Sequence, residues 1–503
     1  LATSSQTLTI KLENLDATQR FAEDLALIVK KEDCICLTGD LGAGKTTLVR
    51  ATIRAVADDL NLEVPSPTFT LVQQYDLRIP IGHIDLYRAS DPDEIFELGL
   101  DEILTNGAAF IEWPEIVEDE LPKSRISFNI TGLDSVRDIE ISGPEDFMMR
   151  LDRTQKIRRF LDNNGYQTAH RAHLQGDASY RHYERISVDG LESLILMNSP
   201  KISGSPILRD GLTYYDLAHL AQDIIPFIRI ANYLQSIGLR TPKLYETDLE
   251  EGFLLLEDLG DDKPVDIQNI PYTERYIAAI DVLAHLHGQD IPSILTDDVM
   301  EPYSIPKYDA DVMELEISLL VDWYWEFKTG SIIEPQQSGV YFQIWRELIH
   351  RMKSAETSLV LRDYHSPNII WQSGESGLAQ VGLIDFQDAQ IGPAAYDVAS
   401  LAQDARVVVS GELETQLLDR YKSLRLDQRH NFDPVQFDEA YKIMAAQRAC
   451  KILGIFVRMN KRDGKSEYLT LIPQIERYLI RTMAHSVLKP LQKWFDEADL
   501  FRR

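Results

Sequence analysis

The chain has 503 residues and a formal net charge of −29, from 51 Lys and Arg against 80 Asp and Glu. That length exceeds what one core holds and predicts two or three domains, and the acidity argues against direct binding of bare nucleic acid. Residues 1–150 hold 13 Lys and Arg against 28 Asp and Glu, a balance that suits small-molecule chemistry or docking onto a basic protein partner. Three cysteines, two of them in Cys34-Ile-Cys36, are too few for a four-thiolate zinc site and are expected to be reduced and buried. No stretch has the length of a membrane span and the opening residues show no apolar signal region, so the expected location is the cytoplasm, with no membrane partner.

In chain order, strands are predicted at Leu8 to Leu12 and Asp33 to Thr38, with an amphipathic helix from Ala17 to Val29 between them. Gly39-Asp-Leu-Gly-Ala-Gly44-Lys45-Thr46 follows, and then a helix with Leu48, Val49, Ile53, Val56 and Leu60 at helical spacing. Strand, glycine loop and helix in that order form a phosphate-binding loop. Its backbone amides cradle phosphate oxygens at a helix N-terminus, Lys45 reaches the outer phosphates, and Thr46 would take magnesium. Asp85 ends an apolar run, where a Walker B carboxylate serves magnesium directly or through water. Glu112 is placed similarly one strand later and could orient or deprotonate an attacking water. Trp113 beside it could stack on a base or pack against the loop, core packing being the plainer role.

These separated motifs, Gly39 to Thr46, Ser66 to Thr68, His83 to Arg88, Glu97 to Gly99 and Glu112 to Glu115, resemble the ATPase subunit of the bacterial tRNA threonylcarbamoyladenosine synthase. The resemblance implies ATP hydrolysis upon docking on the synthase heterodimer, resetting that complex rather than modifying tRNA. It implies that Gly39, Gly42, Gly44, Lys45, Thr46 and Thr47 hold the nucleotide and that Thr68 sits in a switch segment. Asp85 and Thr46 then bind the metal, and Glu112 and Trp113 serve hydrolysis.

Strands at Ile126 to Ile130 and Ile139 to Ser142 are expected to close this unit, Gly143 to Asp146 to leave it, and Met148 to Leu161 to form a helix. Gly176 to Arg185, which includes Ser179 and Arg181, precedes the alternating run Ser193 to Met197 and looks like a nucleotide-covering loop. Kinases place a Lys on the following strand; here Met197 stands near that place, and Arg181 or Arg185 could supply charge. Phe253 to Gly260 runs from an apolar strand into a polar turn, as an inter-lobe hinge does, with the backbone around Glu257 and Leu259 facing adenine. His285 and His287 do not share a helix face and are expected to pack rather than bind metal. Apolar and aromatic residues from Leu315 to Phe327 predict one long core helix. Arg448, Lys451, Arg458 and Arg462 could meet a substrate carboxylate, although solvated helix faces explain most such residues.

Leu359 to Asp388 carries the second chemistry. Asp363 and Asn368 lie in Leu-Arg-Asp-Tyr-His-Ser-Pro-Asn, and Asp385 in Leu-Ile-Asp-Phe-Gln-Asp. With that spacing Asp363 accepts the proton of an attacking hydroxyl while Asn368 and Asp385 hold magnesium. Asp388 could orient the loop, and Asp397 begins a helix where it could cap that helix or brace the catalytic loop, capping being the preferred role. The segment resembles the aminoglycoside and choline phosphotransferase superfamily, with Leu361 and Arg362 in place of the His and Gly that usually precede the Asp. Within it the wording is similar to the N-acetylmuramate/N-acetylglucosamine anomeric kinases of cell-wall recycling. The resemblance implies ATP and Mg2+ as cofactors and an amino sugar as acceptor, with an aminoglycoside, choline or a nucleotide-sensing scaffold as alternatives. The expected fold is multi-domain. An N-terminal α/β P-loop NTPase domain (1–146) precedes an α+β protein-kinase-like bilobal domain, its N-lobe at 147–260 and its mostly helical C-lobe at 261–503.

Overall fold

A computed structural model describes residues 7–89, 98–132, 135–174, 180–202, 204–297, 300–429 and 432–501. The chain divides into two compact units, residues 1–198 and 199–503. The expected junction at 146 and 147 lies inside the first. Among the described residues no helix is long and apolar enough to cross a membrane.

The first unit is built on a seven-stranded sheet. In chain order its elements are β1 (Thr7–Leu12), α1 (Leu15–Ile28), β2 (Cys34–Thr38), α2 (Lys45–Ala57), β3 (Val72–Tyr75), β4 (Ile81–Asp85), α3 (Leu100–Asn106), β5 (Ala108–Glu112), β6 (Ile126–Thr131) and β7 (Arg137–Ser142). The strand order is β1-β7-β6-β2-β5-β4-β3, with β6, β2, β5 and β4 parallel. β4 and β5 are buried at every position, as continuous apolar runs in parallel strands covered on both faces must be. One face packs Phe21 and Leu25 of α1 against Leu48 and Ile53 of α2; the other takes Leu100 and Ile103 of α3. Cys34 and Cys36 sit in that second layer as free thiols.

The next helix, α4 (Glu145–Asn163), buries Phe147, Met148 and Leu151 in the core beneath α1. It is followed by three antiparallel strands, β8 (His170–Leu174), β9 (His182–Ser187) and β10 (Leu194–Asn198). A buried ionic chain ties them to α1. Asp24 accepts from Arg158 of α4 at 2.6 Å and from Arg171 of β8 at 2.5 Å, and Arg171 reaches Glu184 of β9 at 2.7 Å.

The core of the second unit includes a helix at Ile225–Ser236, the hairpin β11 (Leu244–Asp248) and β12 (Phe253–Glu257), then α5 (Thr273–Gly288) and α6 (Ala310–Leu319). Two short antiparallel ribbons follow. β13 (Thr357–Val360) pairs with β16 (Gln390–Pro393), and β14 (Ile369–Trp371) pairs with β15 (Val381–Leu383). α7 (Ala395–Ala402) and α8 (Pro434–Asp463) pack beside them. The single long helix expected across Leu315 to Phe327 is interrupted: α6 passes through a π turn at Leu320–Tyr324 before resuming at Trp325–Thr329. The physical reason lies across the contact. Gly454 of α8 comes so close that a Cβ there would sit 2.2 Å from the carbonyl oxygen of Leu319.

Candidate active sites

The first site lies at the carboxyl ends of β2, β4 and β5. Gly39, Gly42 and Gly44 adopt φ of 137°, 82° and 102°, and a Cβ on Gly39 would meet the Ile130 oxygen at 2.3 Å, so glycine is required there. Lys45 opens α2 and donates to the carbonyls of Gly39 at 2.6 Å and Asp40 at 3.1 Å. Its ammonium lies 3.6 Å over the ring centre of Trp113, so that aromatic packs against the loop. Burial lowers the pKa of Lys45, with Glu112, Glu115 and Asp85 opposing.

Parallel register sets Asp85 directly opposite Glu112. Glu112 accepts from Thr46 Oγ1 at 2.8 Å through one oxygen and meets His83 Nε2 at 2.9 Å through the other. Asp85 accepts from Ser66 at 3.1 Å, from Thr68 at 2.7 Å and from the Tyr87 amide at 3.1 Å. Lys45, Thr46, Thr68, Asp85, Glu112 and Trp113 thus share one place, with Thr47 on the first turn of α2. Two further residues belong to it. His83 precedes Asp85 by two on β4 and so faces the same side, a signal that strand alternation carried. Arg137, which donates to the Ala43 carbonyl at 2.6 Å, had no local signal.

The second site forms where the two ribbons end. Leu361 and Arg362 donate their backbone amides to Asp397 at 2.6 and 2.9 Å. This corrects the expectation that Asp397 caps α7, which starts at Ala395 with no side-chain cap: the carboxylate instead braces the loop that carries Asp363. Arg362 adopts φ 69°, a left-handed conformation that costs a side-chain-bearing residue about 1 kcal/mol. It is held there by its buried ion pair with Glu316 and by the Ala218 carbonyl at 3.1 Å. Glu316 also accepts from Lys451 at 2.8 Å, Tyr308 at 2.5 Å and Gln447 at 2.9 Å. Burial works to raise the pKa of Glu316, but Lys451 and Arg362 outweigh it and hold it at about 2.

Asp363 follows the same pattern. Burial favours its neutral form, yet Lys451, His365, Arg362 and Arg448 together pull its pKa below the ordinary carboxylate value. Asn368 Nδ2 donates to the Asp363 carbonyl at 2.9 Å and to Asp385 Oδ2 at 3.3 Å. Asp385, at φ 59°, accepts from Gln387 at 2.9 Å. The Asn368 side chain therefore bridges the Asp363 backbone and the Asp385 carboxylate, and Asp388 anchors the same turn by accepting from the Ala221 amide at 2.7 Å. Oxygen donors are what magnesium takes, at both sites. Among the described residues no group of three His, Cys, Asp or Glu is gathered for a metal, and waters and bound phosphates commonly complete a magnesium shell that few carboxylates supply.

The remaining candidates make contacts of their own. Glu257 is engaged by Arg240 at 2.5 and 2.7 Å, and the Leu259 carbonyl accepts from Gln372 at 2.8 Å. Arg181 is buried just before β9 in the first unit, where Met197 lies buried in β10, paired with Tyr183. Ser179, the glycine loop before it and Glu97 lie outside the described residues. His285 and His287 bond the Ile237 carbonyl and the Tyr421 hydroxyl, each at 2.8 Å. The solvated faces expected for the C-terminal basic residues hold for Arg462, which pairs with Asp463, but not for Arg448 and Lys451, which are buried behind the second site.

Comparison with known proteins follows this division. The family described as threonylcarbamoyl adenosine biosynthesis protein TsaE matches residues 12–139, and the phosphotransferase enzyme family, APH, matches residues 172–434. An N-acetylmuramate/N-acetylglucosamine kinase of Caulobacter vibrioides is 35% identical over 348 residues, covering 67% of this chain and 94% of the relative. One from Pseudomonas aeruginosa is 30% identical over 311 residues, covering 61% and 82%. A tRNA threonylcarbamoyladenosine biosynthesis protein TsaE of Rickettsia bellii is 40% identical over 132 residues, covering 26% of this chain and 89% of that protein. The chain belongs to both families. It fuses a TsaE-like region to an N-acetylmuramate/N-acetylglucosamine kinase-like region. The TsaE region contains the Lys45 site, and the phosphotransferase region contains Asp363, Asn368 and Asp385, with Lys451 reaching back from beyond the matched span.

Proposed function

We propose that the chain is a bifunctional ATP user. The phosphotransferase region transfers the γ-phosphoryl of ATP to the anomeric hydroxyl of N-acetylmuramate or N-acetylglucosamine, giving the sugar 1-phosphate and ADP. Asp363 accepts the hydroxyl proton as the oxygen–phosphorus bond forms, and its lowered pKa keeps it ionised for that role at neutral pH. Asn368 and Asp385 would hold magnesium, which when bound neutralises charge on the transferring phosphoryl group. The Asn368 side chain, which joins the Asp363 backbone carbonyl to the Asp385 carboxylate, is the observation that carries this reading.

In the TsaE region, Lys45 and the glycine loop would hold phosphates, with Thr46 and Asp85 on magnesium and Glu112 beside the attacking water. That region would hydrolyse ATP when docked on the tRNA-modifying synthase heterodimer, and its acidic surface suits a protein partner. Buried, unpaired thiols and reliance on ATP fit a cytoplasmic protein. A second reading, a nucleotide-sensing scaffold, draws on Met197 standing where kinases carry a lysine. An acceptor screen separates the readings: incubation with ATP and N-acetylmuramate, N-acetylglucosamine, choline or an aminoglycoside is expected to yield phosphorylated amino sugars. Phosphorylation of choline or the aminoglycoside instead would reassign the acceptor, and no transfer to any of them would favour the scaffold.

A further inference from the structure

His287 is a buried histidine one step behind the base. It lies in the last turn of α5, and its side chain has no solvent exposure. Its Nδ1 meets the Tyr421 hydroxyl, from the helix at Gly411–Gln428, at 2.8 Å. Its Nε2 has no hydrogen-bond partner and lies 4.0 Å from Oδ2 of Asp397, which is equally buried. That same Oδ2 accepts the Leu361 amide at 2.6 Å, while Oδ1 accepts the Arg362 amide at 2.9 Å, and these are the two residues before Asp363. On the other side of the base, the Tyr364 hydroxyl donates to the Ala279 carbonyl of α5 at 2.8 Å. The loop is therefore fastened to α5 just after Asp363, and through Asp397 it faces α5 again just before.

The neighbours of the ring fix its tautomer. Burial first, and Arg425 second, lower the pKa of His287 to about 3, so the ring is neutral at neutral pH and carries a single N–H. The Arg425 guanidinium, which can only donate, also lies beside the Tyr421 hydroxyl and favours negative charge on it. The hydroxyl's own proton then points to Nδ1, and the ring proton sits on Nε2, facing Asp397. A buried N–H without an acceptor is costly, and a buried carboxylate gains from each further donor. Burial pushes Asp397 up to about 7, with the two amides opposing, so the ionised form that grips them depends on the donors around it. Contacts around catalytic groups are often long in a resting enzyme and shorten when substrates bind. We infer that His287 is a positioning residue for phosphoryl transfer: its Nε2–H steadies the Asp397 carboxylate against the Leu361 and Arg362 amides, and so fixes where Asp363 meets the acceptor hydroxyl. This rests on the kinase reading above.

The test is steady-state phosphorylation of N-acetylmuramate and N-acetylglucosamine by the full chain, with wild type, His287→Phe, His287→Gln and Tyr421→Phe. His287→Phe keeps the bulk of the ring and removes both nitrogens, whereas the Gln side chain brings back an N–H donor. In His287→Phe kcat is expected to fall about 10- to 100-fold on either sugar, since a misplacement of about 1 Å costs up to about 100-fold, with KM for ATP and for sugar unchanged. His287→Gln should recover much of that loss. Tyr421→Phe, which frees the ring to take the other tautomer, should lose kcat in the same direction by a smaller factor. Rates are taken per folded molecule, from circular dichroism at the assay temperature, so loss of fold does not count as loss of kcat. Should His287→Phe not fold, Tyr421→Phe decides, and a wild-type kcat there would overturn the assignment. A folded His287→Phe with kcat within about threefold of wild type, equal losses in His287→Phe and His287→Gln, or a loss seen in KM alone would overturn it too, leaving the kinase reading intact. Wild-type protein that phosphorylates neither sugar would overturn the kinase reading and the assignment with it.

Discussion

Arg362 shows how one residue can carry both a backbone cost and an electrostatic purpose. Its left-handed conformation is one that glycine adopts freely, yet its guanidinium, together with Lys451, surrounds a Glu316 that has no solvent exposure. Removing one partner of such a cluster strands the others, so Glu316→Gln is expected to lower unfolding free energy in urea by about 3–5 kcal/mol. The pH dependence follows from the sign of the shift. The pKa of Glu316 is depressed to about 2, so its contribution is complete above the unfolded carboxylate value, near pH 4.5, and is lost as pH falls toward 2. Acid titration of wild-type and Glu316→Gln stability should therefore converge at the acid end. Lys451 also holds the pKa of Asp363 down, and Lys451→Met should move the acid limb of the kcat/KM profile to higher pH. An unmoved limb would remove Lys451 from the electrostatics of the base. The trio Asp363, Asn368 and Asp385 was legible because its chemistry sits within one short stretch of sequence. Lys451 was not, because helical spacing says which face a residue lies on and nothing about which distant loop covers that face. Glu316, set between Leu315 and Ile317 on a largely apolar helix, must find cations to remain buried and charged.

At the scale of elements, the π turn at Leu320–Tyr324 and the close approach of Gly454 form one device. Neither was visible in the apolar run from Leu315 to Phe327, since that pattern fits an unbroken helix and the deviation comes from a neighbour far along the chain. Gly454→Ala puts a methyl against backbone that cannot rotate away, and urea denaturation should show a loss of about 1–3 kcal/mol. Wild-type stability in that variant would mean that α8 can shift without cost. The strand, glycine loop and helix of the Lys45 site were legible as a unit, because turn chemistry, apolar run and helical face agree along consecutive residues. Asp397 shows the complementary limit of local pattern. Its position near a helix start is what capping looks like locally, while the amides that it binds, those of Leu361 and Arg362, arrive from another part of the chain.

For the molecule as a whole, the two family spans leave residues 140–171 unmatched, and the structure shows what that stretch does. α4 and β8 fasten the first strands of the phosphotransferase region to α1 of the TsaE region through Asp24, Arg158, Arg171 and Glu184. Sequence pattern alone was enough for the two chemistries and their order, whereas the ionic chain joins residues too far apart in sequence to be read from it. Asp24→Asn in the full chain leaves two buried guanidinium groups short of charge and should lower the melting temperature of the first unit; an unchanged melting temperature would mean that Glu23 and Glu184 suffice. The central claim is that phosphoryl transfer to sugar belongs to Asp363 and is separate from the chemistry at Lys45. Transfer from ATP to N-acetylmuramate by wild type, Asp363→Asn and Lys45→Ala, side by side, tests it most directly. Loss of the base should cut kcat by about 10²–10⁴, while Lys45→Ala should transfer at close to the wild-type rate. Transfer that survives in Asp363→Asn, or disappears in Lys45→Ala, would contradict it.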